Sequence, residues 1–240
     1  MKEHALLLSA PMVRAYFAGR KRVTRRILSK RNTLIDGMPW GKSKCKWEHV
    51  GISKGILKDG VLVVGCERCL HVHSIEPIYL PGDMVWFKET LEVVAHWGQL
   101  RYAADGSVIY DQQFPKDGHD ALQVVADALI ARYGRDLEES GYVPSIFMPH
   151  RLSRIVFPVV GARIEYLQDI TEADAKREGV EAIYPKIMYP DEPLAECNYI
   201  RGVIKTWEIL RPKPGQRWKD NPLVIAIEFN AAKDREAPCN

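Results

Sequence analysis

The stretch Pro81-Gly82-Asp83-Met84-Val85-Trp86-Phe87-Lys88-Glu89 joins a turn directly to a strand. Proline, glycine and aspartate in succession favour a tight turn. The apolar and aromatic residues that follow, which continue to Ala95, are typical of a β-strand. Residues 101–104 precede a second turn signal at Asp105-Gly106 and could pair with that strand. The middle of the chain therefore predicts β-structure that is closed off by turns.

Working outward, strands are predicted on both sides of this stretch and also at the end of the chain. Short apolar runs and alternating patterns predict further strands at residues 6–8, 23–27, 153–166 and 224–229, the long one bending at Gly161. Apolar spacing and capping residues predict helices at residues 12–18, 121–133, 171–179 and 200–210. Strands outnumber helices and are not separated by regular helices. The pattern predicts an α+β fold built on a small mixed β-barrel with flanking helices.

Two segments interrupt this pattern, residues 30–75 and 106–140, and we interpret them as insertions in a single domain of residues 1–240. The first is rich in glycine and lysine and is predicted to be irregular apart from a hairpin arm at residues 60–64. With 46% hydrophobic and 27% charged residues, the composition is that of a globular protein with a packed core. No apolar run approaches the roughly 18 residues of a membrane helix, and no signal-peptide pattern is found. The expected compartment is the cytoplasm, with no membrane partner.

The charge is unevenly distributed along the chain, although the net formal charge is only +3. Between Arg14 and Arg31 the sequence has eight lysines and arginines and no acidic residue, whereas residues 165–196 are rich in carboxylates. An acid-free cluster indicates a surface for phosphates or another anionic ligand. A solvated basic face explains the same pattern equally well.

Besides residues 81–89, four segments form an ordered set of motifs. They are Ala18-Gly19-Arg20-Lys21-Arg22-Val23-Thr24-Arg25-Arg26 and residues 145–155, 167–180 and 221–229. Together the five segments resemble the ASCH domains of the PUA-like superfamily, which are often encoded by bacteriophages and prophages. The resemblance reaches both ends of the chain and skips the two insertions. It implies a PUA-like barrel, but it indicates function less strongly, because one fold hosts many activities.

The family includes small bacterial amidohydrolases that remove the acetyl group from N4-acetylcytidine, and this resemblance implies a catalytic group. Those enzymes use a lysine, a threonine three residues later and a glutamate in the later helix, which match Lys21, Thr24 and Glu178 here. A threonine hydroxyl becomes a nucleophile when a base such as a desolvated lysine lies within reach, and a glutamate can act as acid and base. In one regular strand Lys21 and Thr24 would point to opposite faces, so they converge only if Lys21 lies in the turn after Gly19. Alternatively, all three are ordinary surface residues.

A second candidate function is binding of a nucleoside or a single-stranded nucleic acid, RNA or modified DNA, without turnover. The residues proposed for it are Arg20, Arg25, Arg26, Trp86, Lys88, Glu89, Arg151 and Arg154. Guanidinium groups bind phosphate in bidentate fashion, and a tryptophan can stack on a base. Ribonuclease activity by the same cluster is a third possibility. Against these stand two structural interpretations, ion pairing of the arginines with the carboxylates of residues 165–178 and packing of Trp86 in the core.

The first insertion contains residues typical of a nucleic-acid-binding surface and residues typical of a metal site. Lysines at 42, 44 and 46 are interleaved with Trp40 and Trp47, which favours a nucleic-acid partner slightly. Cys66 and Cys69 have the spacing of half a zinc site, and His73 with Cys45 or His49 would complete it. A structural zinc ion would order a segment that has few core residues. Free thiols in a loop are the alternative, and the predicted chemistry at Lys21, Thr24 and Glu178 requires no cofactor.

Overall fold

The computed structural model describes residues 1–111, 120–133, 141–183 and 198–230. Their strands are β1 (Glu3–Leu7), β2 (Val23–Ile27), β3 (Thr33–Ile35), β4 (Met38–Pro39), β5 (Ile56–Lys58), β6 (Val61–Gly65), β7 (Val72–Pro77), β8 (Met84–Lys88), β9 (Leu91–Val94), β10 (Gln99–Tyr102), β11 (Val108–Asp111), β12 (Gly141–Val143), β13 (Val156–Tyr166) and β14 (Leu223–Phe229). Their α-helices are α1 (Ala10–Phe17), α2 (Asp120–Tyr133), α3 (Glu172–Arg177) and α4 (Tyr199–Leu210).

The predicted α+β class is confirmed, because strands in several sheets dominate and helices are few. The strand pairings found among the described residues form no closed barrel, so the PUA-like barrel stays a prediction. The chain forms two compact units, each assembled from separate segments. The first contains residues 1–18 and 84–157, and the second contains residues 19–83 and the described part of 158–231. Part of the second predicted insertion, residues 112–119 and 134–140, lies outside the described residues.

The turn at residues 81–83 leads into β8 of the first unit, as predicted. β8 pairs in parallel with β1 over its whole length. The predicted long strand is interrupted at Glu89 and Thr90 and resumes as β9, which pairs with β10 and β12 in an antiparallel sheet of order β11-β10-β9-β12. Leu91, Val93, Leu100 and Met148 are fully buried in the core beneath this sheet.

In the second unit β13, β14 and β2 form antiparallel pairs. The register of β13 shifts between Val159 and Gly161, where the sequence predicts a bend. The Thr171 hydroxyl caps α3 by accepting a hydrogen bond from the Asp174 amide at 3.1 Å, and Gly179 follows the helix with a φ of +81°. These elements bring the C-terminal end of α3 to the start of β2, because the Arg22 amide donates to the Arg177 carbonyl at 2.7 Å.

The first insertion is more regular than its sequence indicates. Residues 30–75, predicted to be irregular, contribute most of a five-stranded antiparallel sheet of order β4-β3-β7-β6-β5. Two Asp-Gly pairs, Asp36-Gly37 and Asp59-Gly60, connect β3 to β4 and β5 to β6, and all four residues have a positive φ. Such pairs suit the tight turns of two-residue hairpins. The strands are only two to six residues long, which leaves little alternation for a sequence pattern to detect.

We expect Gly202 in α4 to be essential for the packing of that helix. A Cβ atom at this position would lie 2.1 Å from the carbonyl oxygen of Glu181, closer than any real contact. Gly202→Ala should lower the free energy of unfolding by about 1–3 kcal/mol in urea denaturation, although alanine favours helices. Gly41→Ala is the control, because its Cβ would meet nothing within 4 Å. Equal stability of the two variants would contradict the packing described here.

Candidate functional site

The side chain of Lys21 is the centre of the candidate catalytic group and is only 1% exposed. Its Nζ donates three hydrogen bonds, each of 2.9 Å, to Glu178 Oε2, the Glu178 carbonyl and the Val23 carbonyl. An ammonium group has three donors, so all of them have acceptors here. Burying a charge is costly unless it is paired and hydrogen-bonded, and Lys21 meets both conditions.

Glu178 follows the last residue of α3, where the helix macrodipole disfavours a carboxylate. Two cations compensate: Oε2 accepts from Lys21, and Oε1 accepts from Arg25 Nη1 at 3.1 Å. Burial opposes ionisation of Glu178, but the charges of Lys21 and Arg25 outweigh it and hold its pKa below the ordinary value. Burial also lowers the pKa of Lys21, against the opposing charge of Glu178. The pair is therefore ionic and almost sealed from solvent.

Thr24 lies in β2 opposite Ile227 of β14 and is 4% exposed. Lys21 lies before β2, in the irregular segment that follows the turn at Gly19, so the strand alternation that would place it opposite to Thr24 does not apply. The carbonyl that binds Lys21 Nζ belongs to the peptide between Val23 and Thr24. Within the described part of the chain, the Thr24 hydroxyl makes no hydrogen bond. Lys21 and Glu178 are thus in direct contact, and Thr24 follows the peptide group that Lys21 binds.

Arg25 is buried and binds three carboxylates, so its guanidinium faces the protein interior. Its Nε lies 2.7 Å from Glu165 Oε1, and its Nη atoms lie 3.1 Å from Glu178 and 3.3 Å from Asp174. Ion pairs extend this into a charge-balanced network of Lys21, Arg25, Arg163 and Arg177 with Glu165, Asp174, Glu178 and Glu228. The sequence left two interpretations of Arg25 open, phosphate binding and ion pairing. In the structure Arg25 forms the ion pairs with carboxylates of residues 165–178.

Arg20 and Arg26, the other basic residues of this motif, lie nearer to solvent. Arg20 is exposed, and its Nη1 donates to the Gly179 carbonyl at 3.3 Å. Arg26 is partly buried, and burial together with the nearby charge of Arg211 lowers its pKa. Both residues belong to the same unit as Lys21, Thr24 and Glu178.

The remaining predicted binding residues belong to the first unit. Arg154 binds both oxygens of Glu89, at 2.9 and 2.8 Å, as well as Asp105, and its guanidinium lies between the rings of Phe17 and Tyr102. Glu89 is 1% exposed, and burial raises its pKa despite the pairing with Arg154.

Three further residues of the predicted binding set in the first unit are Trp86, Lys88 and Arg151. Trp86 is partly buried, with its ring centroid 4.7 Å from that of His150. Lys88 Nζ lies 5.1 Å from the Trp86 ring centroid and donates to the Ile146 carbonyl. Arg151 is exposed. Trp86 is therefore neither fully buried in the core nor free of aromatic neighbours.

The four predicted metal ligands Cys45, Cys66, Cys69 and His73 form one cluster. Their ligand atoms all lie within 4.8 Å of one another, so they could hold a metal ion. His73 Nε2 lies 3.1 Å from the Sγ atoms of both Cys45 and Cys69. The hydrogen bond with His73 lowers the pKa of Cys69 to about 5, whereas the hydrogen bond with Cys69 and burial raise the pKa of Cys45 to about 12. His49, the alternative ligand, is not a member of this cluster.

A fifth residue, Asp36, orients the histidine of this cluster and was missed by the sequence analysis. Asp36 Oδ2 lies 2.6 Å from His73 Nδ1, and its other oxygen accepts from the Ser74 amide at 2.9 Å. A carboxylate on the far nitrogen fixes the tautomer and ring orientation of a metal-binding histidine. With Nδ1 bound to Asp36, Nε2 is left to face the thiols. Asp36 was visible in the sequence only as part of an Asp-Gly turn signal.

Comparison of the chain with family models, with curated proteins and with solved structures gave no match. The resemblance to ASCH domains therefore rests on the motifs in the sequence. Across the described residues, no helix is both long and apolar enough to cross a membrane.

We expect the Glu178 carboxylate to stabilise the fold in a pH-dependent way. Because its folded pKa is lowered, its contribution is fully present above the ordinary value of 4.5 and is lost as the pH falls through the folded pKa. Glu178→Gln should lower the free energy of unfolding by about 2 kcal/mol at neutral pH, with a difference that shrinks in acid. Urea denaturation across pH, with exposed Glu181→Gln as the control, measures this. A constant difference at every pH would contradict the assignment.

Proposed function

We propose that this chain is a hydrolase that removes the acyl group from an N4-acylated cytosine or cytidine. Thr24 is the nucleophile, Lys21 its activator and Glu178 the acid and base. The observation that carries the proposal is the buried contact of 2.9 Å between Lys21 Nζ and Glu178 Oε2, next to the peptide group of Thr24. An amide hydrolase needs a nucleophile, a base to deprotonate it and an acid for the leaving amine, and these three residues supply those groups.

The first half of the reaction begins with proton transfer between the two buried charges. The resting pair is ionic, and the hydrogen bond between Lys21 Nζ and Glu178 Oε2 is the path along which a proton moves to give the neutral pair, which burial makes less unfavourable than it would be in water. The neutral Lys21 amine then takes the proton of the Thr24 hydroxyl as its oxygen attacks the acyl carbon. The carbon–nitrogen bond breaks, and the Glu178 carboxylic acid protonates the leaving N4 amine. Lys21 is again an ammonium, Glu178 a carboxylate, and the acyl group is an ester on Thr24.

Water completes the reaction in the second half. The Glu178 carboxylate takes one proton from a water molecule whose oxygen attacks the ester. The bond to Thr24 breaks, and the Lys21 ammonium returns a proton to the Thr24 oxygen. The carboxylic acid product leaves, and a proton then passes from Glu178 to Lys21, which restores the ion pair. This cycle needs Thr24 Oγ1 within hydrogen-bond reach of Lys21 Nζ in the substrate complex.

The alternative is a nucleic-acid-binding module, or a ribonuclease, that uses the basic cluster of the motifs that resemble ASCH domains. Two observations weigh against that use of Arg25 and Arg154. Each already binds carboxylates, and Arg25 is buried as well. Freeing Arg154 would leave the buried Glu89 carboxylate without the cation that it pairs with, and freeing Arg25 would take one cation from each of three largely buried carboxylates; both changes are costly. Arg20 and Arg26, which belong to the same unit as Lys21, Thr24 and Glu178, remain candidates for contact with the substrate of the proposed hydrolase.

Turnover of N4-acetylcytidine by the purified protein tests the proposed activity. Thr24→Val keeps the shape of the side chain and removes the hydroxyl, so kcat should fall by at least about 100-fold. Thr24→Ser keeps a hydroxyl and should retain measurable turnover. Lys21→Met and Glu178→Gln should each lower kcat by a similar factor.

The control for these variants is Lys176→Ala, which removes an exposed lysine of α3 two residues before Glu178. It should leave kcat/KM unchanged, and circular dichroism should show that every variant is folded. Turnover by Thr24→Val at the wild-type rate would exclude Thr24 as nucleophile. No turnover by folded wild-type protein would exclude N4-acetylcytidine as its substrate.

We infer that the Cys45, Cys66, Cys69 and His73 cluster holds a structural zinc ion. Three thiols and one imidazole are a donor set that suits Zn²⁺, and four protein ligands leave no position open for chemistry. The ion would fix the first insertion, whose ligands come from the loop before Trp47, the turn after β6, and β7. The proposed hydrolysis at Thr24 requires no metal.

The contact between Asp36 and His73 predicts a measurable effect on zinc affinity. Asp36→Asn should weaken zinc binding by roughly 10–100-fold, because His73 loses the carboxylate that orients it. Asp59→Asn is a matched control: Asp59 also begins an Asp-Gly hairpin turn with a positive φ, 50° against 47° for Asp36. Competition with a chromophoric chelator measures both affinities. Equal affinities in the two variants would contradict the role of Asp36, and a protein that binds no zinc would exclude the site.

A further inference from the structure

The loop that carries Cys45 exposes three lysines at alternate positions. Lys42, Lys44 and Lys46 are all exposed, while Cys45 between them is buried in the cysteine–histidine cluster. Residues 37–47 contain no acidic side chain. The loop is also held by its own backbone, because the Lys42 amide donates to the Pro39 carbonyl at 2.8 Å. These lysines therefore stand on a fixed loop and point their charges to solvent.

Two tryptophans flank this loop and pack against each other. The ring centroids of Trp40 and Trp47 lie 5.0 Å apart at an angle of 68°, and both side chains are partly exposed. Trp40 Nε1 donates to Thr33 Oγ1 at 3.0 Å, and that hydroxyl donates to the Ser29 carbonyl at 2.9 Å. The aromatic pair is thereby tied to the turn between β2 and β3.

That turn, to which Trp40 is tied, carries two more cations. Lys30 and Arg31 are both exposed. Lys30 Nζ lies 3.8 Å from Glu48 Oε1, next to Trp47, with side-chain exposures of 59% and 63%. An exposed ion pair of this kind contributes little, so a phosphate can replace the carboxylate at small cost. Lysines from the loop and the turn therefore border the same aromatic pair.

We propose that this surface binds a single-stranded nucleic acid, with phosphates on Lys30, Arg31, Lys42, Lys44 and Lys46 and a base on the tryptophan pair. Proteins that bind single strands combine a cationic path for the backbone with aromatic side chains on which unpaired bases stack. This surface has both parts. Arg25 and Arg154, in contrast, already bind carboxylates and therefore do not offer a cationic path. Its residues are separate from Lys21, Thr24 and Glu178, so it binds independently of turnover.

The test uses the full-length, zinc-loaded protein and a short fluorescein-labelled oligouridine, with binding followed by anisotropy over a range of salt. Binding should weaken linearly on a log–log plot as salt rises. Replacing Lys42, Lys44 and Lys46 together by alanine should weaken binding at least about tenfold and reduce the slope by roughly 2, about 0.7 for each cation. Trp47→Leu should weaken binding about tenfold with the slope unchanged, because it removes stacking and no charge.

The matched control replaces Lys205, Lys213 and Lys219, three exposed lysines of the same unit, by alanine. It removes the same charge and should leave affinity within about twofold of wild type. An equal loss in both triple variants would reduce the binding to net charge and overturn the proposal. Binding that ignores salt, equal affinity for a duplex, or wild-type affinity in Trp47→Leu would each overturn it too. Zinc content and circular dichroism identify any variant that has lost its fold. The lysine variants test the contacts with phosphates and Trp47→Leu tests base stacking, so the two results are interpreted separately.

Discussion

A lysine buried to 1% exposure is the constraint on which the second unit depends. Its ammonium group would be strongly unfavourable inside a protein without acceptors and a nearby negative charge. Several features of the fold meet this need together. The start of β2 is hydrogen-bonded to the end of α3, α3 ends next to Glu178, and Arg25 shares the carboxylate with Lys21. Removing the Glu178 carboxylate would leave the Lys21 ammonium buried without the negative charge that it pairs with, whereas removing Lys21 would leave Glu178 paired with Arg25.

The same burial connects structure to the proposed chemistry. A carboxylate and an ammonium in water exchange no proton at neutral pH, whereas burial disfavours both ions and brings the neutral pair closer in energy. The proposed hydrolysis requires this proton transfer between Lys21 and Glu178. The arginines have a different role, because Arg25 and Arg154 bind carboxylates within their own units. Contact with a polymer is then left to exposed cations, of which the loop around Cys45 has three.

Much of this could be predicted from the sequence, and the failures have physical causes. Caps, turns and apolar spacing predicted α1, α3 and β13 because those signals are local. The Cys66-x-x-Cys69 spacing and His73 predicted the metal cluster for the same reason. The sheet of the first insertion was missed, because its strands are very short and its two Asp-Gly turns carry the signal. Asp36 was not predictable, and the partners of Arg25 were predictable only as carboxylates of residues 165–178, because these contacts join residues far apart in sequence and depend on strand register.

The central claim is that Thr24 carries the acyl group during turnover. Mass spectrometry of the protein, quenched in acid during reaction with N4-acetylcytidine and digested, tests it most directly. We expect a mass increase of one acetyl group on the peptide that contains Thr24 in the wild-type protein, and no such increase in Thr24→Val. Turnover without any acetylated peptide, or acetylation at a residue other than Thr24, would contradict it.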